Sequence, residues 1–316
     1  MRHFLTAITS SLVLATACGG ADAGQGLDEP LRVRGGQFFE GELPGSPADG
    51  EAPAGLAAIT AFDFTSPNVL PGQAQKSIQG RATDSAASVA IRLAGLGSGF
   101  WVVPVGAPDP QYPGELTWSI GADFSADVAA GVHRLQVVAI DEAGRAGPQR
   151  EQPLCFVSRI PDNLHACNPT RAPPDVVIAL RWNVDADLDL EVRGPDGRLV
   201  GPKNPLVQPP GAGTAPPAGS AAIDRDSLGA CLPDGLRQEN LVFQERPAPG
   251  SSFRVYANLF DACGHGSVSF RLEAFEARGE GEGRELVPTF SQSGLLTPYD
   301  ATGGASTGVL IVDYQF

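Results

Sequence analysis

Two pairs of aspartates in the second half of the chain have a spacing that could bind a metal ion. Asp187 and Asp189 are two residues apart, and Asp224 and Asp226 repeat that spacing. Residues i and i+2 of a β-strand point to the same face, so each pair would present two carboxylates together. If the two pairs meet, four like charges repel one another unless a cation neutralises them.

Calcium is the cation that this set of side chains favours. It takes about six to eight oxygen ligands in irregular geometry, and Glu239 could add oxygens from a following loop. The cluster contains no histidine, which disfavours zinc and copper. The expected metal ligands are therefore the five acids Asp187, Asp189, Asp224, Asp226 and Glu239. In the alternative interpretation they are solvated faces whose aspartates accept hydrogen bonds from nearby backbone N–H groups.

The sequence offers few groups for catalysis. It contains no H-E-x-x-H, no G-x-S-x-G and no phosphate-binding Walker loop. His133, His165 and His265 are scattered and fit surface or turn positions. Paired carboxylates could serve a glycosidase, but no aromatic-lined groove accompanies them in the sequence. We therefore expect a protein without enzymatic activity, in which a metal would stabilise the fold.

Period-two alternation predicts the strands that must carry the acidic residues. Residues 176–192 alternate throughout, which indicates one strand with an apolar face and, at the centre of the segment 176–200, an acidic face. Pro195, Asp196 and Gly197 predict a hairpin turn, and Leu199 begins the returning strand. Residues 267–275 and 309–316 also alternate. We expect the last segment to complete a sheet, paired with a strand that begins near Leu286.

The first half of the chain reads as a series of short strands separated by turn residues. Their spacing of about a dozen residues is typical of an antiparallel sandwich. Trp101 and Trp118 are expected in its core. The predicted strands cover residues 59–64, 75–82, 88–93, 100–105, 115–120 and 133–141.

Composition and charge exclude several classes of protein. The chain has 316 residues, with 39 glycines and 28 prolines, which rules out an all-helical fold because both residues break helices. Hydrophobic residues make up 42%, enough for real cores. The formal net charge of −14 argues against nucleic-acid binding, which requires basic patches.

The N-terminus has the features of an export signal. A basic start is followed by an apolar stretch that is too short to span a membrane. It ends in Ala15-Thr16-Ala17-Cys18, which resembles the lipobox of bacterial lipoproteins, where the cysteine is acylated. Leucine is commoner where Ala15 stands, and Ala-Thr-Ala also fits an ordinary signal-peptidase site. The alternative is therefore a soluble secreted protein.

The cysteine count supports lipidation of Cys18. Removing Cys18 leaves four cysteines, an even number suited to disulfides in an oxidising compartment. Four cysteines allow three pairings. Proximity and domain membership favour two bonds, Cys155–Cys167 and Cys231–Cys263.

Two resemblances cover the folded part of the chain. The run Val138-Ala139-Ile140-Asp141-Glu142-Ala143-Gly144 resembles the last-hairpin signature of bacterial immunoglobulin-like and fibronectin-like repeats. The second half resembles a family of uncharacterised bacterial secreted domains, and the D-L-D-L strand is also similar to the calcium-binding strand of tellurium-resistance proteins. The residues that match the secreted family are Trp182, 187–192, Pro195, Gly197, 222–226, 238–240 and 249–260. Departures are Glu191 for histidine, Leu259-Phe260 for Tyr-Tyr and an insertion at 205–219. The resemblance implies a β-sandwich without a settled activity.

The sequence thus predicts an all-β protein with two antiparallel β-sandwich domains, the first immunoglobulin-like and the second jelly-roll-like or a related sandwich. The expected divisions are a signal peptide (1–17), a lipidated tether (18–30), a first sandwich (31–156), a connector (157–174) and a second sandwich (175–316).

The predicted function is that of a non-catalytic cell-envelope lipoprotein, a binding, adhesion or scaffold module that calcium could stabilise. We expect an outer-membrane lipid anchor, in a periplasmic or surface-exposed position. The expected partners are the membrane, through the lipid, and an envelope protein or polysaccharide. The alternative is a calcium-dependent carbohydrate-binding accessory module of a surface hydrolase system.

Overall fold

The structure is a computed structural model that describes residues 26–47, 55–63, 66–207, 219–232 and 236–316. The predicted signal peptide and Cys18 lie outside the described residues, as do most of the tether and of the 205–219 insertion. Within the described part of the chain, no helix has the length and apolar character needed to cross a membrane.

The described residues form β-sheets, antiparallel in all but one strand pair, and three short 3-10 turns, which confirms the predicted all-β class. Strands in the first half are β1 (Leu31–Val33), β2 (Gln37–Glu40), β3 (Ile59–Asp63), β4 (Asn68–Val69), β5 (Lys76–Thr83), β6 (Ala86–Leu93), β7 (Gly99–Pro104), β8 (Glu115–Phe124), β9 (Gly131–Asp141) and β10 (Arg150–Phe156). Those in the second half are β11 (Val176–Trp182), β12 (Asp187–Arg193), β13 (Leu199–Val200), β14 (Ala221–Ile223), β15 (Gln238–Phe243), β16 (Ser252–Asp261), β17 (Val268–Arg278), β18 (Glu285–Leu296) and β19 (Val309–Gln315).

Strands β1 to β10 make a sandwich of two sheets. One has the order β1-β8-β5-β3 and the other β2-β7-β6-β9-β10-β4, in which the short strand β4 pairs with β10 in parallel. The core between the sheets is apolar and includes Trp118, which is buried, with Trp101 half-buried against its side. The indole N–H of Trp101 donates to the carbonyl of Leu31 at 2.7 Å, which satisfies its one polar group.

The six strands predicted between residues 59 and 141 are all present. Asp141, at the end of β9, explains part of the hairpin signature: its Oδ1 accepts the N–H groups of Ala143 and Arg145, which closes the turn. The prediction did not include β10, because Pro153 and its charged residues weaken the strand pattern.

Strands β11 to β19 make a second pair of sheets around a separate core. The five-stranded sheet has the order β14-β15-β11-β17-β18, and the four-stranded sheet has the order β13-β12-β16-β19. Large apolar side chains such as Leu180, Leu190 and Phe243 fill the space between the sheets. The two cores share no residue.

The prediction of one continuous strand over residues 176–192 is wrong. The chain leaves the five-stranded sheet after Trp182 and enters the four-stranded sheet at Asp187. A tight turn makes the crossing, in which the N–H of Ala186 donates to the carbonyl of Val184 and Asn183 Oδ1 accepts the N–H of Ser269. The period-two pattern keeps its phase through the turn, so alternation does not reveal the break.

The predicted pairing of the last two strands is also wrong. β18 pairs with β17 from Glu285 to Leu296, whereas β19 pairs with β16. A hairpin through the loop at 279–284 brings β18 directly back along β17. As a result β18 is an edge strand of 12 residues.

Both favoured disulfides are present. Cys155–Cys167 ties the end of β10 to the connector, and Cys231–Cys263 ties the loop after β14 to the end of β16. The second bond crosses between segments that flank the acidic strand β12.

Candidate metal site

Three of the predicted acidic ligands come together at the start of β12. Asp187, Asp189 and Asp226 each offer a carboxylate oxygen, and these oxygens lie within 4.8 Å of one another. Asp187 is buried with 3% of its surface exposed, Asp189 is half-buried, and Asp226 is exposed. The group is therefore open to solvent on the side of Asp226.

The position of β12 explains why a second chain segment can reach these carboxylates. On one side β12 pairs with β16 along its whole length, but on the other side β13 pairs only with Val192 and Arg193. The first residues of β12 are thus free of a neighbouring strand on that side. The loop at 224–232 fills this place and carries Asp226 to the aspartates of β12.

An unusual backbone conformation shapes that loop. Leu228, Ala230 and Cys231 all have positive φ, at 61°, 53° and 60°, a region that residues other than glycine rarely adopt. The N–H of Ala230 donates to Asp187 Oδ2 at 2.8 Å. Gly229 lies directly against Asp226, since a Cβ on this glycine would sit 2.6 Å from Asp226 Oδ1. The buried side chain of Leu228 and the disulfide at Cys231 hold the loop in place.

Glu239 lies beside the cluster, but its oxygens already have partners. The side chain is fully buried on β15, where Oε2 accepts the N–H of Leu190 at 2.7 Å and Oε1 accepts that of Ser227 at 3.0 Å. It therefore joins the two segments that carry the metal-ligand candidates. Its arrangement fits a positioning group better than a ligand.

Asp224 faces away from the other acids. Its two oxygens accept the backbone and side-chain N–H groups of Asn240 at 2.9 and 2.8 Å, and Arg225 pairs with it. Strand β14 ends at Ile223, so the i, i+2 rule for strands does not apply to Asp224 and Asp226. Of the five expected ligands, Asp187, Asp189 and Asp226 thus lie together. Glu239 lies beside them, and Asp224 binds Asn240 instead.

Sequence reasoning missed two charged neighbours of the cluster, Asp261 and Lys203. Asp261 on β16 is the register partner of Asp187, and its charge acts on that carboxylate. Lys203, from the loop after β13, is the cation that partly offsets the charge of Asp187 and Asp189. The proximity of these two residues depends on strand register and loop path, for which the sequence gives no signal. Glu191, in contrast, follows Asp189 on the same face of β12, as the alternation predicted.

The acidic cluster is electrostatically unfavourable without a cation. Burial, and then the charges of Asp187, Asp226 and Glu191, raise the pKa of Asp189 to about 7. Burial is also the main cause that raises the pKa of Asp187 and, well above its ordinary range, the pKa of Glu239. Burial thus opposes ionisation of all three neighbouring carboxyl groups. A divalent cation would reverse this tendency, because it favours the charged form of each ligand.

A second group of possible ligand atoms is not available for a metal. Cys231, Asp261 and Cys263 also lie close together, but the two sulfurs are bonded to each other. Only the carboxylate of Asp261 remains, and its Oδ1 accepts the N–H of Cys263 at 2.7 Å.

Comparison with known proteins identifies no family for the chain. No family model matches it, and no curated protein matches it. Among solved structures, the chain is similar to the C-terminal domain of the AgI/II polypeptide BspA of Streptococcus agalactiae, at 12% identity and a TM-score of 0.21, over 72% of this chain and 94% of the other.

A second solved structure to which the chain is similar is SGBP-B of the mixed-linkage glucan utilization locus of Bacteroides ovatus, in complex with a mixed-linkage heptasaccharide. The identity is 11% and the TM-score 0.18, over 72% of this chain and 42% of that chain. The chain thus spans less than half of the length of SGBP-B.

Proposed function

We propose that the chain is a non-catalytic binding module of the cell envelope and that calcium stabilises its second sandwich. The observation that carries this proposal is the convergence of Asp187, Asp189 and Asp226, with ligand oxygens within 4.8 Å. Calcium suits the group because it accepts carboxylate and carbonyl oxygens in irregular geometry and completes its shell with water. The exposed side of Asp226 leaves room for that water.

Calcium would link the two segments that bound the cluster. Asp187 and Asp189 belong to β12, whereas Asp226 belongs to the loop at 224–232. An ion shared between them stabilises the folded state only, because the unfolded chain does not bring these carboxylates together. Such binding adds about 2.7 kcal/mol to the free energy of unfolding when free calcium is a hundred times its Kd.

Thermal unfolding of the purified oxidised chain in calcium and in EDTA tests this proposal. We expect a higher unfolding temperature in calcium, and no such increase in the double variant Asp187→Asn, Asp189→Asn. Magnesium should give a smaller increase, since it demands octahedral geometry and retains its waters.

Asp224→Asn is the matched control, because this aspartate has the same charge and sequence spacing but faces Asn240. This variant should show the same increase in unfolding temperature with calcium as the wild type, even if its hydrogen bonds to Asn240 weaken. An equal unfolding temperature in millimolar calcium and in EDTA would reject the metal site and return the aspartates to a purely structural role.

The cellular setting of the module is proposed from the N-terminal sequence. The lipobox-like segment that ends in Cys18 supports acylation, and with it an outer-membrane anchor, in a periplasmic or surface-exposed position. The partners would be the membrane, through the lipid, and an envelope protein or polysaccharide. Labelled palmitate in a bacterial host should enter the wild-type chain and not the Cys18→Ala variant, whose release into the medium would be the second readout.

A carbohydrate is the second candidate ligand, favoured by aromatic rings near the acidic cluster. Phe260 and Tyr256 are half-buried on β16, and the ammonium of Lys203 lies 5.2 Å from the centroid of the Phe260 ring. Binding of the chain to immobilised polysaccharides, measured in calcium and in EDTA, would favour this candidate if it is lost in EDTA and in Phe260→Ala.

A further inference from the structure

A second polar site lies between the two sandwiches, away from the acidic cluster. A cleft of about 730 Å³ opens between the β4–β5 loop of the first sandwich, the connector at 157–164 and the edge of the second sandwich near β11 and β15. Its volume lies within the range of small-molecule sites, which often form between domains. Its lining combines apolar and charged residues, among them Leu70, Trp182 and several arginines.

Four arginines line the cleft, an unusual concentration in a chain of net charge −14. Three have a carboxylate partner: Arg181 pairs with Glu273, Arg225 with Asp224, and Arg237 with Asp185 at 2.7 Å. The fourth, Arg159, forms no ion pair with any residue that the structure describes.

Arg159 is held at the cleft by its own backbone. Its carbonyl accepts the side-chain N–H of Gln238 at 2.8 Å, and Gln238 also donates to Asn240 Oδ1 at 2.7 Å. Both amides are buried on β15. The connector is further fixed by Cys155–Cys167 and by Asp162, which accepts the N–H groups of Leu164 and Ala166. The backbone that carries Arg159 is thus fixed, while its side chain is exposed at the cleft.

These charges define the chemistry of a fitting ligand. One guanidinium without a carboxylate partner calls for one negative charge, which a planar carboxylate meets with paired hydrogen bonds. The carboxylates of Asp185 and Asp224 retain lone pairs that can accept hydroxyl groups, whereas they would repel a ligand with several charges. The apolar lining, including Leu70, suits the carbon face of a sugar ring.

We propose that this cleft binds a sugar acid of about disaccharide size and that Arg159 receives its carboxylate. The site is independent of the proposed calcium site, since none of its lining residues belongs to the cluster of Asp187, Asp189 and Asp226. It also accounts for Asp224, which the sequence placed among the metal ligands but which lines the cleft instead.

Calorimetric titration of the purified oxidised chain with cellobiouronate, a glucuronosyl-glucose disaccharide that carries a single carboxylate, tests the proposal. The matched ligand is its methyl ester, which keeps the hydroxyl groups but lacks the charge. We expect the acid to bind at least about tenfold more tightly than the ester, the size of one charge-assisted hydrogen bond. Binding should persist in EDTA, which separates this site from the calcium proposal.

Two variants and a control locate the binding. Arg159→Ala should weaken cellobiouronate binding about tenfold or more, and Ala126→Trp should block the cleft while leaving its charges in place. Arg32→Ala removes another exposed arginine, outside the cleft, which has no ion pair among the residues that the structure describes, and this variant should bind normally. The unfolding temperature of each variant shows that the fold is retained.

The proposal is overturned if the acid and its ester bind equally, if neither binds at about 10 mM, or if Arg159→Ala binds as the wild type does. Tighter binding of a glutamate-rich peptide than of cellobiouronate would also overturn it, because the cleft would then serve an acidic protein segment.

Discussion

At the scale of one residue, the fold makes the negative charge of the Asp189 carboxylate unfavourable unless a cation binds. This charge is opposed first by burial and then by Asp187 and Asp226, and the N–H donors near the cluster serve Asp187 and Glu239 instead. A carboxyl group in such surroundings favours either a proton or a metal ion. Proton and calcium should therefore compete for it.

The stability of the metal-free chain and the calcium increment should depend on pH in opposite directions. Without calcium, Asp189 has a pKa of about 7 in the folded chain against an ordinary 3.8. The folded state then binds more protons between these values, so this group makes the chain more stable as the pH falls from about 8 to about 4. The increase in stability that calcium provides should become smaller below about pH 7, because the affinity for calcium falls by up to about tenfold per pH unit.

Unfolding temperatures measured across this range, in EDTA and in calcium, check both signs. Asp189→Asn is the control, because it should flatten the metal-free profile and remove the calcium increment. A calcium increment that stays constant down to about pH 5 would contradict the competition.

Gly229→Ala should weaken calcium binding without removing a charge. The added Cβ would lie 2.6 Å from Asp226 Oδ1 and 3.0 Å from its Cγ, so the carboxylate must leave its position in the cluster. We expect a loss of about tenfold or more in calcium affinity, as for other changes that misplace a ligand. Gly266→Ala meets nothing within 4 Å and should bind calcium as the wild type does. Equal affinities of the two variants would show that Asp226 is not a ligand.

At the scale of the element, the site depends on the loop at 224–232. Its left-handed residues cost free energy, and such strain persists where surrounding contacts fix the backbone. The sequence predicted the aspartates of β12 and both disulfides, because alternation and cysteine spacing are local signals. It could not predict that Asp224 and Asp226 separate, because this depends on the end of β14 and on the turn that follows.

The two disulfides should differ in their effect on calcium affinity, but they should contribute similarly to the free energy of unfolding. On the chain-entropy model, the separations of 12 and 32 residues correspond to about 3 and about 4 kcal/mol. Only Cys231–Cys263 holds the loop whose Ala230 N–H contacts Asp187. We expect the double serine variant of this pair to lose calcium affinity, and that of Cys155–Cys167 to keep it. The unfolding temperature of each variant, measured over a calcium titration, gives its calcium affinity. Equal losses of affinity in the two variants would contradict the role of the loop.

At the scale of the whole molecule, two cores divide the chain. Each has its own buried tryptophan, Trp118 in the first and Trp182 in the second. Their composition was predictable, because apolar alternation marks strands that bury one face. The assignment of strands to sheets was not, since the crossing from β11 to β12 leaves the pattern in phase.

Separate cores predict two thermal transitions, of which calcium shifts one. Scanning calorimetry should resolve them, and fluorescence of the variants Trp118→Phe and Trp182→Phe should assign each to its sandwich. Trp101 remains as a further reporter of the first sandwich. We expect calcium to raise the transition that Trp182 reports. One transition that moves as a whole would show that the two sandwiches unfold as a single cooperative unit.

Strand β18 has a consequence for how copies of the chain behave when crowded. As an outermost strand of 12 residues, it presents backbone groups that another molecule could extend into a shared sheet. Pro288 brings no N–H to this row, and the register shift beside it, between Ala274 and Phe275, interrupts the regular ladder. Pairing of copies along this edge is thus discouraged at its middle, so we expect the chain to remain dispersed at high concentration.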